Sequence, residues 1–104
     1  MQLQFFDTAL EKFVADLEPR ILAKVLRTID LLERFGPALG MPHSKPLSRG
    51  LFELRISGQQ EIRIMYVFHK NMAVLLHGFI KKTAQTPAKE LQRARQKFQL
   101  LDVV

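Results

Sequence analysis

GLFELRISGQQEIRIMYVF, residues 50–68, decides the fold. Within it Phe52, Leu54 and Ile56 alternate with Glu53 and Arg55, and Ile62, Ile64, Tyr66 and Phe68 alternate with Glu61, Arg63, Met65 and Val67. A period of two means extended strands with one apolar face. Two strands in succession make a hairpin, and only a loop of odd length, such as Ser57-Gly58-Gln59, returns both apolar sets to one side of the sheet. Glu53, Arg55, Glu61 and Arg63 then share the other side. Tyr66, set between Ile64 and Phe68, reads as a core residue rather than a catalytic one.

Downstream, a turn at HKNM (69–72) leads to a third strand from Ala73 to about Lys81. It is apolar on both faces up to Gly78, as a central strand covered on both sides would be. Periodicity therefore leaves two registers open: His77, Phe79 and Lys81, or Gly78, Ile80 and Lys82, point with the arginines. After TAQTP, Thr86 is placed to cap a last helix with Pro87 in its first turn. Leu91, Ala94, Phe98 and Leu101 form its buried stripe, and Lys89, Arg93 and Lys97, spaced by four, line up on another face.

Upstream, GPALGMPHSKPLSRG (36–50) holds three prolines and three glycines and reads as an irregular loop. Before it come two helices. Leu10, Phe13, Val14 and Leu17 make a short amphipathic stripe with Asp7 or Thr8 as N-cap. Pro19 then sits where a first-turn proline belongs, and Leu22, Val25, Leu26, Ile29, Leu32 and Phe35 make a longer stripe that ends at Gly36-Pro37. The polar faces of this helical hairpin mix both signs, as plain solvated surface does. Gln2 to Phe6 is a candidate edge strand. The expectation is one α+β domain over residues 1–104: a two-helix hairpin, a three- or four-stranded antiparallel meander and a closing helix.

Composition narrows the function. A chain of 104 residues with 47% hydrophobic content suits one core, and without cysteine it has neither a disulfide framework nor a thiolate metal site. The start MQLQFFDTALEKF lacks the plan of a secretory leader, and no apolar run approaches the roughly 20 residues of a membrane span, so a cytoplasmic protein without membrane association is expected. No phosphate-binding glycine loop, HExxH or nucleophile elbow is present, and His43, His69 and His77 lack helical partners at i+4. Neither metal nor cofactor is expected. The net charge of +6 is lopsided: residues 1–43 hold five Lys/Arg and six Asp/Glu, residues 44–104 eleven and four. Such a basic half favours an anionic partner, nucleic acid foremost.

The residues that could carry chemistry are Arg55, Arg63, Lys81, Lys82 and His77. Guanidinium groups grip phosphate through paired donors, and lysine adds a mobile point charge. Cleaving RNA needs a base for the 2′-hydroxyl, positive charge for the phosphorane and an acid for the departing oxygen. Arg55 and Arg63 suit the second role, and His77 or a lysine one of the others. Each also has a bland reading: cross-strand ion pairs with Glu53 and Glu61 for the arginines, a satisfied strand histidine, edge protection by Lys81 and Lys82, and a solvated helix face.

GLFELR, EIRIMYVF and VLLHGFIKKTAQTPAKELQRA, preceded by SKPL, resemble in order and spacing the phage-derived, HigB-like branch of the RelE/ParE toxin superfamily. That resemblance implies a RelE-like fold and a toxin held inactive in a hetero-oligomer with a cognate antitoxin, a helix-turn-helix protein of HigA type. It further implies cutting of mRNA on the ribosome. Carried onto this chain, the catalytic candidates are Arg55, Arg63, Lys82 and His77, and the RNA-binding candidates are Lys81, Lys45, Lys89, Arg93 and Lys97. The chain ends KFQLLDVV, without the C-terminal tyrosine or histidine that many such ribonucleases use. A ParE-like gyrase-directed toxin and a non-catalytic basic RNA-binding module therefore stay open as alternatives.

Overall fold

A computed structural model describes residues 1–101. In chain order the elements are β1 (Gln2–Phe5), α1 (Thr8–Ala15), α2 (Pro19–Phe35), a 3-10 turn (Gly36–Ala38), β2 (Ser44–Pro46), β3 (Phe52–Ile56), β4 (Glu61–His69), β5 (Met72–Lys81) and α3 (Ala88–Leu100).

The period-two stretch forms the β3–β4 hairpin, with Phe52 opposite Tyr66, Leu54 opposite Ile64 and Ile56 opposite Ile62. Its apolar sets do share one side, because five residues, 57–61, an odd number though more than three, separate the last cross-strand pair, Ile56 and Ile62. Between β4 and β5, Lys70 and Asn71 both take positive φ, 50° and 63°, as a two-residue type I′ turn requires. A bulge then settles the open register: Met65 pairs with His77 but Tyr66 with Leu75, so Leu76 is the extra residue. His77, Phe79 and Lys81 consequently lie on the side of Arg63, with Gly78 and Ile80 on the other.

The α+β class and the order of helices, sheet and helix hold. The sheet itself differs from the expected meander in two respects. Its five strands run β1-β5-β4-β3-β2, and β1 joins β5 in parallel, Gln2 beside Met72 through Phe5 beside Leu75. The proline-rich segment also contributes β2, whose Ser44–Pro46 pairs with Leu54–Phe52 at the sheet edge, where a strand tolerates proline.

One face of the sheet is covered by α1 and α2, with Leu10, Val14, Val25, Ile29 and Leu32 packed on Leu54, Ile56, Ile62, Ile64, Tyr66 and Leu75. Asp7 caps α1 by accepting the Leu10 N–H, and Pro19 opens α2. On α2 the buried line is Ile21, Val25, Thr28, Ile29 and Leu32, whereas Leu26 and Phe35 are 48% and 49% exposed. The expected stripe is thus rotated: the helix carries more apolar residues than one face holds, and the sheet selects among them. On the opposite face α3 packs Ala94, with Leu91, Phe98 and Leu101 beside it, on Met65, Val67, Val74, Leu76 and Phe79. Pro87, not Thr86, occupies the cap position of α3, and Thr86 turns to the sheet instead.

Candidate nucleic-acid interface

Strand register brings the polar residues of four strands together on the α3 side of the sheet. Lys45 lies opposite Glu53, Arg55 opposite Arg63 and Glu61 opposite Lys81. Two arginines facing each other repel, so carboxylates must intervene. Glu53, only 3% exposed, is that group: its Oε1 lies 3.5 Å from Arg63 Nε and 3.8 Å from Arg55 Nε, and its Oε2 accepts the Thr86 hydroxyl at 3.0 Å. One carboxylate thereby ties β3, β4 and the β5–α3 connection together.

Arg63 is not a surface cation. It is 3% exposed, with Nη2 3.2 Å from Glu61 Oε1 and Nη1 donating to the Ile62 carbonyl at 3.0 Å. Burial alone would raise the Glu61 pKa, but Arg63, the Ser57 hydroxyl and the Gly58 N–H outweigh it and hold the carboxyl below its ordinary value. Arg55, by contrast, keeps 28% of its side chain exposed, with Nη1 3.7 Å from Met41 Sδ. Lys45 and Lys82 are exposed and Lys81 half-buried, and none of the three forms an ion pair with a described residue.

His77 belongs to a second cluster. Its Nε2 lies 3.3 Å from Glu90 Oε1, which is also 3.5 Å from Arg93 Nη1, and its ring stacks on Phe79 with centroids 6.1 Å apart. Burial lowers the His77 pKa, and Glu90 only partly restores it. Lys97 is drawn in as well: its ammonium meets Asp7 Oδ2 at 2.9 Å, donates to the Leu76 carbonyl at 2.9 Å and sits 5.7 Å from the Phe6 ring centroid. These groups flank an open groove of about 490 Å³ between α1 and α3, with Leu10 and Phe13 on its α1 wall. The evenly spaced helical stripe is therefore divided. Lys89 and Arg93 are exposed, while Lys97 is committed to the fold.

Tyr66 is a core residue, as its position between Ile64 and Phe68 indicated. It is 1% exposed, its hydroxyl hydrogen-bonds the Ser44 hydroxyl, and burial raises its pKa despite that bond. Among the described residues no group of three or more His, Asp or Glu is arranged to hold a metal ion, and no helix is long and apolar enough to cross a membrane. Sequence reasoning named the arginines and their ion pairs with Glu53 and Glu61, but missed Thr86, which it assigned to the helix cap.

Residues 12–99 match the family described as phage derived protein Gp49-like (DUF891). The chain belongs to the Gp49-like family. Every candidate residue named above other than Asp7, Phe6 and Leu10 falls inside the matched span, and so do the ordered blocks of residues 36–97 that carry the HigB-like resemblance. Among solved structures, a chain of the toxin–antitoxin complex RelBE2 (Rv2865-2866) from Mycobacterium tuberculosis is similar to this Gp49-like chain, with a TM-score of 0.54 and 24% identity. The likeness covers 77% of this chain and 90% of that one, and at such identity it establishes a RelE-like fold. No curated protein sequence matches.

Proposed function

We propose that this Gp49-like chain is the toxin of a type II toxin–antitoxin pair and acts in the cytoplasm as a ribosome-dependent mRNA endoribonuclease. The observation that carries the proposal is the uncovered end of the sheet, where Lys45, Arg55 and Lys81 from three strands share one side and Lys82 follows at the tip of β5. Strand cleavage drives the 2′-oxygen onto phosphorus, and the resulting phosphorane gathers negative charge that preorganised cations stabilise. Arg55 and Lys82 are assigned that role. Lys45, Lys81, Lys89 and Arg93 hold the flanking backbone, and Arg63 acts as a positioning residue through Glu53.

In this proposal the toxin is silenced by a helix-turn-helix antitoxin of HigA type whose acidic residues reach the same face. The fold shared with a chain of the RelBE2 toxin–antitoxin complex supports such pairing. A second reading, a non-catalytic RNA-binding module, draws on one observation: His77, the candidate proton-transfer group, is turned to Glu90 instead of the arginines. Inducing the protein without antitoxin and mapping transcript 5′ ends, with translation running and blocked, separates the two. Internal cuts that vanish when translation stops are expected. Growth arrest with intact transcripts would discard the ribonuclease and turn attention to gyrase, and no arrest at all would leave the RNA-binding module.

A further inference from the structure

The helical hairpin, whose polar faces mix signs along the sequence, presents a concavity where they do not mix. A groove of about 270 Å³ runs between α2 and the end of β3, lined by Lys24, Arg27, Thr28, His43, Arg55 and Ser57. Its remaining walls are the apolar Leu31, Pro42 and Ile56. Every charged lining residue is cationic. Several other cations of the fold are neutralised in place: Glu53 and Glu61 hold Arg63, Asp7 holds Lys97, and Glu90 faces His77 and Arg93. Among the described residues neither Lys24 nor Arg27 meets a carboxylate within ion-pair distance.

We infer that this groove is a binding track for a phosphodiester backbone, with Lys24 and Arg27 as its phosphate-contacting cations. It continues the RNA face of the sheet around the molecular edge, and it rests on the RNA reading above. Three features support it. A concave surface of one charge sign focuses potential and concentrates an anionic ligand more than scattered surface charge does. The Lys24 ammonium is fixed at the groove by donating to the Ser57 carbonyl at 3.2 Å, which leaves two of its three donors for a ligand. Arg55 joins the groove to the sheet face: its N–H donates to the His43 carbonyl at 2.8 Å, and its guanidinium lies against Met41, next to the Pro42 wall. The volume is near the lower end of small-ligand sites, about 300 Å³. A stretch of extended single strand fits it and a folded helix does not.

The test uses the full-length protein and a short, labelled 2′-O-methyl RNA, which a nuclease acting through the 2′-hydroxyl cannot cut. Binding is followed by fluorescence anisotropy across a salt series. Wild-type protein is expected to bind with affinity falling as salt rises. The double variant Lys24→Glu, Arg27→Glu is expected to bind about tenfold or more weakly, with a log affinity–log salt slope shallower by about 1.4 units for two lost contacts to a single strand. Its melting temperature should stay that of wild type, since both side chains are exposed. Lys12→Glu with Arg34→Glu makes the same change in net charge away from the groove and should bind as wild type does. Unchanged affinity and slope in the groove variant, or an equal loss in the control, overturns the track while leaving the RNA reading standing. Absence of binding by the wild type overturns the track, while the transcript mapping above decides separately whether the ribosome-dependent nuclease stands.

Discussion

Arg55 and Arg63 face each other across the β3–β4 pair, yet burial gives them different work. Removing Arg63 would leave Glu53 buried without its nearest cation, and stranded buried charges of this kind cost about 3–5 kcal/mol. Arg63→Ala should therefore lose growth arrest together with stability, seen as an early urea or thermal midpoint. Arg55→Ala removes a partly exposed, longer contact worth under about 1 kcal/mol. It should abolish growth arrest while the midpoint barely moves, and a large drop in its midpoint would reassign Arg55 to structure. His77 adds a pH signature. Burial holds its pKa below 6.5, so on acidification through that value the unfolded chain takes up a proton that the folded chain resists. Stability is then fully present above about pH 6.5 and falls as the pH drops toward the folded value. His77→Gln should flatten unfolding free energy in that window. Asp7 and Glu61 would leave their own decline at lower pH, since both are held below their ordinary 3.8 and 4.5 by partners that outweigh burial.

Among the elements, the contact of α1 with β5 depends on Gly78. A Cβ there would stand 2.9 Å from Phe13 Cε2 and 3.0 Å from Leu10 Cδ1, so Gly78→Ala must displace the Phe13 ring and crowd the Leu10 side chain at this contact. Overpacking of this kind costs about 1–3 kcal/mol, to be read as a lowered melting temperature. The β5–α3 connection hangs on the hydrogen bond from Thr86 to Glu53. Thr86→Val should cost about 1.5–3 kcal/mol, the range for a bond to a charged group, and should weaken growth arrest by releasing the connection that begins with Lys82. An unchanged melting temperature would show that Thr86 contributes nothing to the Glu53 centre. Local patterns marked these elements well: the hairpin by its alternation, α1 by Asp7, α2 by Pro19 and Gly36. Thr86 was misassigned because a helix cap and a buried carboxylate compete for one hydroxyl, and only packing decides between them.

For the molecule as a whole, the two helical layers settle what is left in the open. The α1–α2 layer covers one side of the sheet, and α3 covers only part of the other, so the basic C-terminal half of the chain emerges on a polar surface that turns the edge at Arg55. An antitoxin that silences the toxin by covering this surface must be sensitive to its sign. Arg55→Glu with Lys82→Glu should weaken co-purification of the coexpressed antitoxin at low salt, with the gap from wild type narrowing as salt rises. A complex that survives both reversals would place the antitoxin elsewhere, for instance along the groove between α1 and α3.

The sequence by itself determined the α+β class, the two central strands and their shared apolar face, the closing helix and the family, because each rests on local periodicity or on ordered blocks. It also named Arg55, Lys81 and Lys82, since charge asymmetry is a property of composition. Only the tertiary structure decided that β1 pairs in parallel, that a proline-rich loop contributes an edge strand, and that a bulge at Leu76 puts His77 under α3 with Glu90. It likewise decided that Arg63 is buried while Lys24 and Arg27 share a groove with Arg55. Exposure and charge pairing across elements depend on residues far apart in the chain, and no local pattern encodes them.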